Sequence, residues 1–338
     1  MRQALFVLAA LTAIAAPGAA QAQPYYQGKT LRILVGVAPG GGFDTYARFV
    51  GRHLGRHIPG NPSVIVDNMP GAGSILMANH LYHVAKPDGL TVGHFSGVII
   101  QGQVLGQRGI QFDARRFEYL GAPVKESVVC SLTRASGIAS LEQWRRARAP
   151  VKLGGVAPGS PSYNAAKILQ AALGLPIQVV SGYKGTSQIR LAAESGELAG
   201  GCWSWESMRA TWRKALEAGE VVPVVQMAPR PFPDTRHVPL AIDFAASDEA
   251  RRLIQVGVHD SSALARPFAL SPGTPRRHVA VLRKAFLDAL QDPDLAAEAQ
   301  KANLVIDPVS GEALAKLIAE LFTLDPAVLA RLKAALDR

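Results

Sequence analysis

Cysteine is nearly missing from this chain: Cys130 and Cys202 are all it has. Two cysteines define neither a disulfide framework nor a four-ligand zinc site. In an oxidising compartment a Cys130–Cys202 bridge is chemically permitted, and two buried free thiols are the plainer expectation. Charged residues are also sparse, at 18%, against 48% hydrophobic residues. That balance excludes a disordered polyelectrolyte and requires real cores. The formal charge is +10, but the arginines are scattered. Their tightest cluster, Arg145-Arg146-Arg148, reads as a solvated helix face, so nucleic acid is not an expected partner. Long apolar runs are absent after residues 4–16, and that stretch is too short to span a bilayer core of about 30 Å. No G-x-S-x-G elbow, Walker loop or helix-opening G-x-G-x-x-G occurs. His53 and His57 have zinc-helix spacing without the metalloprotease glutamate, and His80 with His83 is a bare pair. No cofactor, metal or catalytic residue is expected, and the chain does not read as an enzyme.

What is present begins with a secretory pattern. Arg2 precedes the apolar stretch, and Ala20-Gln21-Ala22 is a small-residue cleavage site, so residues 1–22 are expected to be a signal peptide. No cysteine stands at the cut to make a lipoprotein. The mature chain is expected to be exported, monomeric and not membrane-spanning, with a length suited to two domains.

A strand-like run then empties twice into the same four residues, Val37-Ala38-Pro39-Gly40 and Val156-Ala157-Pro158-Gly159. Strands are expected at 31–35 and 151–155 before these turns, and helices from Thr45 and Ser162 after them. Strand, glycine turn and helix start together make a generic anion site, because the first turn of a helix carries free N–H donors and partial positive charge. Further strands at 63–67, 91–93, 128–133, 177–180 and 221–227 alternate with helices at 75–84, 141–148, 187–195 and 275–290, as in β-α-β units. The chain is expected to cross between halves near 124–130 and again near 222–227.

These stretches, taken in order, resemble the extracytoplasmic solute-binding receptors of tripartite tricarboxylate transporters, the Bug-type periplasmic binding proteins. The resemblance rests on Lys29-Thr30-Leu31-Arg32-Ile33-Leu34-Val35, Ala38-Pro39-Gly40-Gly41-Gly42-Phe43-Asp44, Asp67-Asn68-Met69-Pro70-Gly71-Ala72-Gly73 and Pro87-Asp88-Gly89-Leu90-Thr91. It continues through Gly159-Ser160-Pro161-Ser162, Gly182-Tyr183-Lys184-Gly185-Thr186, Pro272-Gly273-Thr274-Pro275 and Asp292-Pro293. It implies an α/β Venus-flytrap fold of type II-like form, each lobe a mostly parallel sheet flanked by helices. Lobe 1 is expected to comprise 23–125 plus 227–338, and lobe 2 to comprise 126–226. It further implies capture of a small organic carboxylate between the lobes and delivery to inner-membrane transporter subunits. Met69 stands where the family usually has arginine, and no binding role is assigned to it. The segment Gly196-Glu197-Leu198-Ala199-Gly200-Gly201-Cys202-Trp203-Ser204-Trp205 lacks the acid that family members often place after the turn, which argues against an amino-bearing ligand.

The expected ligand contacts are the amides of Gly41, Gly42 and Phe43, the hydroxyls of Ser160 and Ser162, Ser96 at the end of the third strand, and Tyr183, Gly185 and Thr186 in a third loop. Trp203 is included as a wall of the cleft, although packing in the core is the alternative for Trp203 and Trp205 alike. Asp44 is expected to cap its helix, since a carboxylate there would repel the ligand. Two other functions stay open on the sequence: an exported α/β enzyme acting on a carboxylated substrate, and a receptor serving a signalling partner.

Overall fold

The computed structural model describes residues 23–337; the expected signal peptide lies outside the described residues. The strands are β1 (Thr30–Val35), β2 (Ser63–Asn68), β3 (Thr91–His94), β4 (Glu118–Ala122), β5 (Val128–Thr133), β6 (Val151–Gly155), β7 (Ile177–Ser181), β8 (Gly200–Ser204), β9 (Val221–Met227), β10 (Phe268–Leu270) and β11 (Val309–Ser310). They form two sheets, ordered β11-β4-β10-β3-β1-β2 and β7-β6-β8-β5-β9. The alternating segments expected from the sequence all appear in place.

The sheets are mixed, where a mostly parallel arrangement was expected. In the first, β2, β1 and β3 are parallel, while β10, β4 and β11 join antiparallel. In the second, β7 and β6 pair parallel and β6 meets β8 parallel, but β5 runs antiparallel to β8 and β9. The parallel portions come from the local β-α-β units. Antiparallel pairing enters at β4, β5, β9 and β10, the strands flanking the passages between the sheets, and at β11.

Each sheet is covered on both faces. Leu31, Ile33 and Val35 of β1 pack under the helix Gly42–Leu54, which buries Tyr46, Phe49, Val50 and Leu54 at helical spacing. The helix Arg276–Leu290 closes the same core with Val279, Leu282, Phe286 and Leu290. Around the second sheet, the helix Pro161–Leu173 starts with proline in its first turn and stops at left-handed Gly174, as those residue types favour. Its Ile168 and Leu169 pack with Leu132, Leu153 and Trp144.

The C-terminal part is shared differently from the expected partition. Ala241, Ala245, Ala250, Ile254, Val256, Val258 and Leu332 belong to the core beside the second sheet, although 227–338 was assigned to the first lobe. The connection after β9 therefore continues to pack on the second lobe before β10 returns to the first sheet. The helix Pro326–Asp337 packs against the helix Pro161–Leu173. Apolar faces exposed by the second sheet's short helices are covered by these later segments.

Cys130 and Cys202 are bonded to each other, which replaces the expectation of free thiols. They face one another in the β5·β8 register, with Cα atoms 4.0 Å apart. Antiparallel pairing brings directly opposite residues this close, so the bridge follows from the register.

Candidate functional site

Both copies of the repeated motif fold alike. Gly40 and Gly159 take φ of +81° and +82°, the left-handed region that glycine enters without penalty. Each turn then delivers the chain into a helix start. Gly41 caps the helix Gly42–Leu54, and Ser160 caps the helix Pro161–Leu173 by accepting from the Tyr163 N–H. Gly185 stands at the start of the helix Thr186–Glu194, and Ser204 caps the helix Trp205–Thr211.

These four starts converge on one cavity between the two sheets. Its wall includes Val37, Gly41, Gly42, Phe43, Gly73, Ser96, Val156, Ser160, Pro161, Ser162, Gly185, Thr186 and Trp203. Every candidate residue except Tyr183 is therefore brought to the same place. The cavity is narrow, with about 40 Å³ open to the centre of a water-sized sphere. The halves already touch around it. Ala38 N–H donates to the Lys184 carbonyl at 3.1 Å, Ser187 Oγ to the Pro39 carbonyl at 3.1 Å, and Gln107 Nε2 to the Pro158 carbonyl at 2.9 Å. This is a closed cleft.

Tyr183 does not line it. Its hydroxyl donates to Glu197, and burial together with that carboxylate pushes the phenol up to about 12. Trp203 lines the cavity and also stacks on Trp212, with centroids 5.2 Å apart, so wall and core roles coexist. Trp205 is a core residue, its Nε1 donating to Asp234 at 3.1 Å. Ser160 and Ser162 are partly engaged locally: Ser162 Oγ accepts from Val156 N–H at 3.2 Å, and Ser160 Oγ from Ala157 N–H at 3.2 Å. Asp44 does not cap forward. It reaches back to accept from Gly40 N–H at 2.9 Å, while Arg48 and Asn68 donate to its other side. Burial would raise its carboxyl, but those donors outweigh it and hold the group below its ordinary range.

His53 and His57 face Glu298 and Asp292, each at 2.7 Å, and form no grouping of three metal-ligating side chains; none exists among the described residues.

Sequence reasoning missed the charged floor of the site. Arg266, 1% exposed, lies just before β10 and reaches across to the second lobe, where its Nη2 donates to Ser204 Oγ at 3.0 Å and to Ser207 Oγ. Its Nε forms an ion pair with Glu126, from the segment that crosses between sheets. The Phe43 and Tyr46 rings lie against the guanidinium, 4.5 and 4.7 Å from centroid to Cζ. Glu206, in the first turn of the helix Trp205–Thr211, accepts from Ser127 N–H at 3.3 Å. Burial, then the Glu126 carboxylate beside it, pushes its carboxyl up to about 8, so it holds its proton at neutral pH. His94, fully buried under Phe268, is driven down to about 3 by burial and then by Arg266. The floor thus carries one fixed cation and one carboxylate, with a neutral acid and a neutral imidazole in their electrostatic reach. With helix starts on both sides, the arrangement favours an anion. One signal was legible: Arg266 stands alone in the apolar run Leu264-Ala265-Arg266-Pro267-Phe268-Ala269-Leu270, and a charge so placed demands a buried partner.

No protein-family model matches this chain. A stretch of 84 residues, 25% of this chain and 23% of the relative, is 39% identical to the UPF0065 protein in the TAR-I ttuE-ttuC' intergenic region of Agrobacterium vitis. The match thus spans about a quarter of that relative's length. Among solved structures, the periplasmic binding protein BugD is similar over 92% of this chain and 98% of its own, at 17% identity and a TM-score of 0.73. MatC of Rhodopseudomonas palustris with bound malate is similar over 91% and 99%, at 20% identity and 0.72. A further R. palustris protein, with adipate, is similar over 90% and 97%, at 18% identity and 0.73. The fold is that of the two-lobed periplasmic binding proteins.

Proposed function

We propose that this chain is a periplasmic solute-binding receptor of the Bug and tripartite-tricarboxylate type, closing its two lobes over a small organic carboxylate. The observation that carries the reading is the convergence of helix starts from both halves on one closed cavity floored by a buried guanidinium. One helix start contributes about 0.3–1 kcal/mol toward an anion. Tight capture therefore needs both halves at once, and closure is what supplies the second set of donors. The malate- and adipate-bound relatives support a carboxylate as ligand.

No helix among the described residues is long and apolar enough to cross a membrane. In this reading the receptor hands its ligand to separate membrane subunits. The lobes in this reading are the halves built on the two sheets, with residues 241–258 and the last helix going to the second. The ligand leaves chemically unchanged.

The test is a thermal-shift panel of acetate, lactate, pyruvate, malonate, malate, succinate, adipate and benzoate on the purified mature protein. An acid at a hundred times its Kd stabilises the fold by about 2.7 kcal/mol, a clear rise in Tm. If no acid of the panel moves Tm, the carboxylate reading is lost. Recovery of a chemically altered acid after incubation would favour an enzyme instead.

A further inference from the structure

The cavity wall holds buried polar atoms that the protein itself leaves without hydrogen-bond partners. They are Arg266 Nη1, Ser96 Oγ and Trp203 Nε1, on side chains 1%, 1% and 3% exposed, beside Arg266 Nε and Glu126 Oε1, which meet only each other as an ion pair. Leaving such groups unpaired is costly, and all three residues line one cavity. The guanidinium is the informative member. Two aromatic rings lie against it, Nε is committed to Glu126, and both donors of Nη2 are committed to Ser204 and Ser207. What is left to an incoming group is the Nη1 edge.

Resting on the carboxylate-receptor reading above, we infer that Arg266 is the charge partner of the ligand's carboxylate, met edge-on at Nη1, with Ser96 Oγ and Trp203 Nε1 as accompanying donors. Its neighbours fix the geometry. The Ser204 and Ser207 hydroxyls belong to the second lobe, so the guanidinium acquires its orientation only when the halves meet. Glu126 keeps the buried charge balanced before an anion arrives, and the ligand's negative charge is then added to a site whose remaining cationic edge is already desolvated. Glu126 also excludes anions that do not reach Nη1, because a carboxylate placed elsewhere on this floor faces it unshielded. The ligand class is accordingly a small acid whose carboxylate is ionised and unsubstituted, rather than its ester or amide.

The experiment compares the tightest-binding acid of the panel with the carboxamide made from it, by calorimetric titration. It uses the wild type, Arg266→Met, and the charge-neutral pair Arg266→Met with Glu126→Gln. Wild type is expected to prefer the acid by about a hundredfold, the scale of a buried charge-paired hydrogen bond. In both variants the preference is expected to fall below about tenfold, the remainder that helix starts supply. The double variant removes the buried pair as a unit, which folds tolerate better than an orphaned partner. Should Arg266→Met fail to fold, the double variant carries the comparison.

A merely structural Arg266 would weaken acid and amide alike, leaving their ratio near the wild-type value. That outcome in a folded variant overturns the inference while the receptor reading stands. Failure of wild type to bind any acid of the panel overturns both.

Discussion

A single side chain can carry a pH signature for the whole fold, and Glu206 does. Folded, it keeps its proton to about pH 8; unfolded, it releases it near the ordinary value of 4.5. Between those values the folded state binds more protons, so its stability contribution is complete below about pH 4.5 and is lost as pH rises through about 8. Glu206→Gln removes this dependence. The Tm of wild type should therefore fall relative to Glu206→Gln as pH goes from 5 to 8 in calorimetric scans, and parallel curves would refute the assignment. Taking the difference cancels His94, whose lowered value acts in the opposite direction, on acidification. At this scale the site was readable where chemistry is local. Gly41, Gly42, Ser160 and Gly185 announce helix starts in their own neighbourhood. Arg266, Glu126 and Glu206 meet only through the fold, and nothing near Glu126 in sequence points to an arginine more than a hundred positions away.

Elements were readable in the same measure. The strands β1, β2, β3, β6 and β7 alternate with helices, and their apolar runs are bounded by glycine and proline. By contrast β4, β10 and β11 pair only with distant chain, as Ala122 with Val309 and Phe268 with His94. The glycine-rich segment ending at Ser204 becomes β8 because β5 and β6 offer it ladders on both sides. That pairing also brings Cys130 opposite Cys202. A bridge closing a loop over a sequence separation of 72 stabilises by about 4 kcal/mol in the chain-entropy model. Cys130→Ser with Cys202→Ser should lower Tm by several degrees, and reductant should do so only on heating, because both sulfurs are buried. An unchanged Tm in the double variant would show that the ladder alone holds these strands.

For the molecule as a whole, closure depends on how near the first glycine loop comes to the other lobe. A Cβ at Gly42 would stand 1.6 Å from Ser207 Oγ and 3.0 Å from Arg266 Nη2, which no rotamer adjustment of Ser207 fully relieves. Gly42 lies in a right-handed helix start, so alanine is conformationally acceptable there and the clash arises only between the lobes. Gly42→Ala should keep the apo Tm near wild type while reducing ligand affinity by about tenfold or more, since the closing contacts no longer form. Small-angle scattering should show no ligand-induced compaction in this variant; normal compaction would contradict the closed geometry. The two-lobed plan was readable from the doubled motif, whereas the sharing of the C-terminal segments was not. Residues 241–258 and the final helix follow from which apolar faces remain uncovered once the sheets exist, a property of the assembled surface.

That final helix has a mechanical implication. After leaving the first sheet's flank at Leu321, the chain returns to lie on the second lobe at Leu332, adding a strap to the passages between β4 and β5 and between β9 and β10. Two ribbons alone allow a hinge to twist as well as bend. A third, leaving from the helix that packs on β4 and on the turn just before β10, adds a further tie to that junction, and three ties resist twisting between the halves more than two.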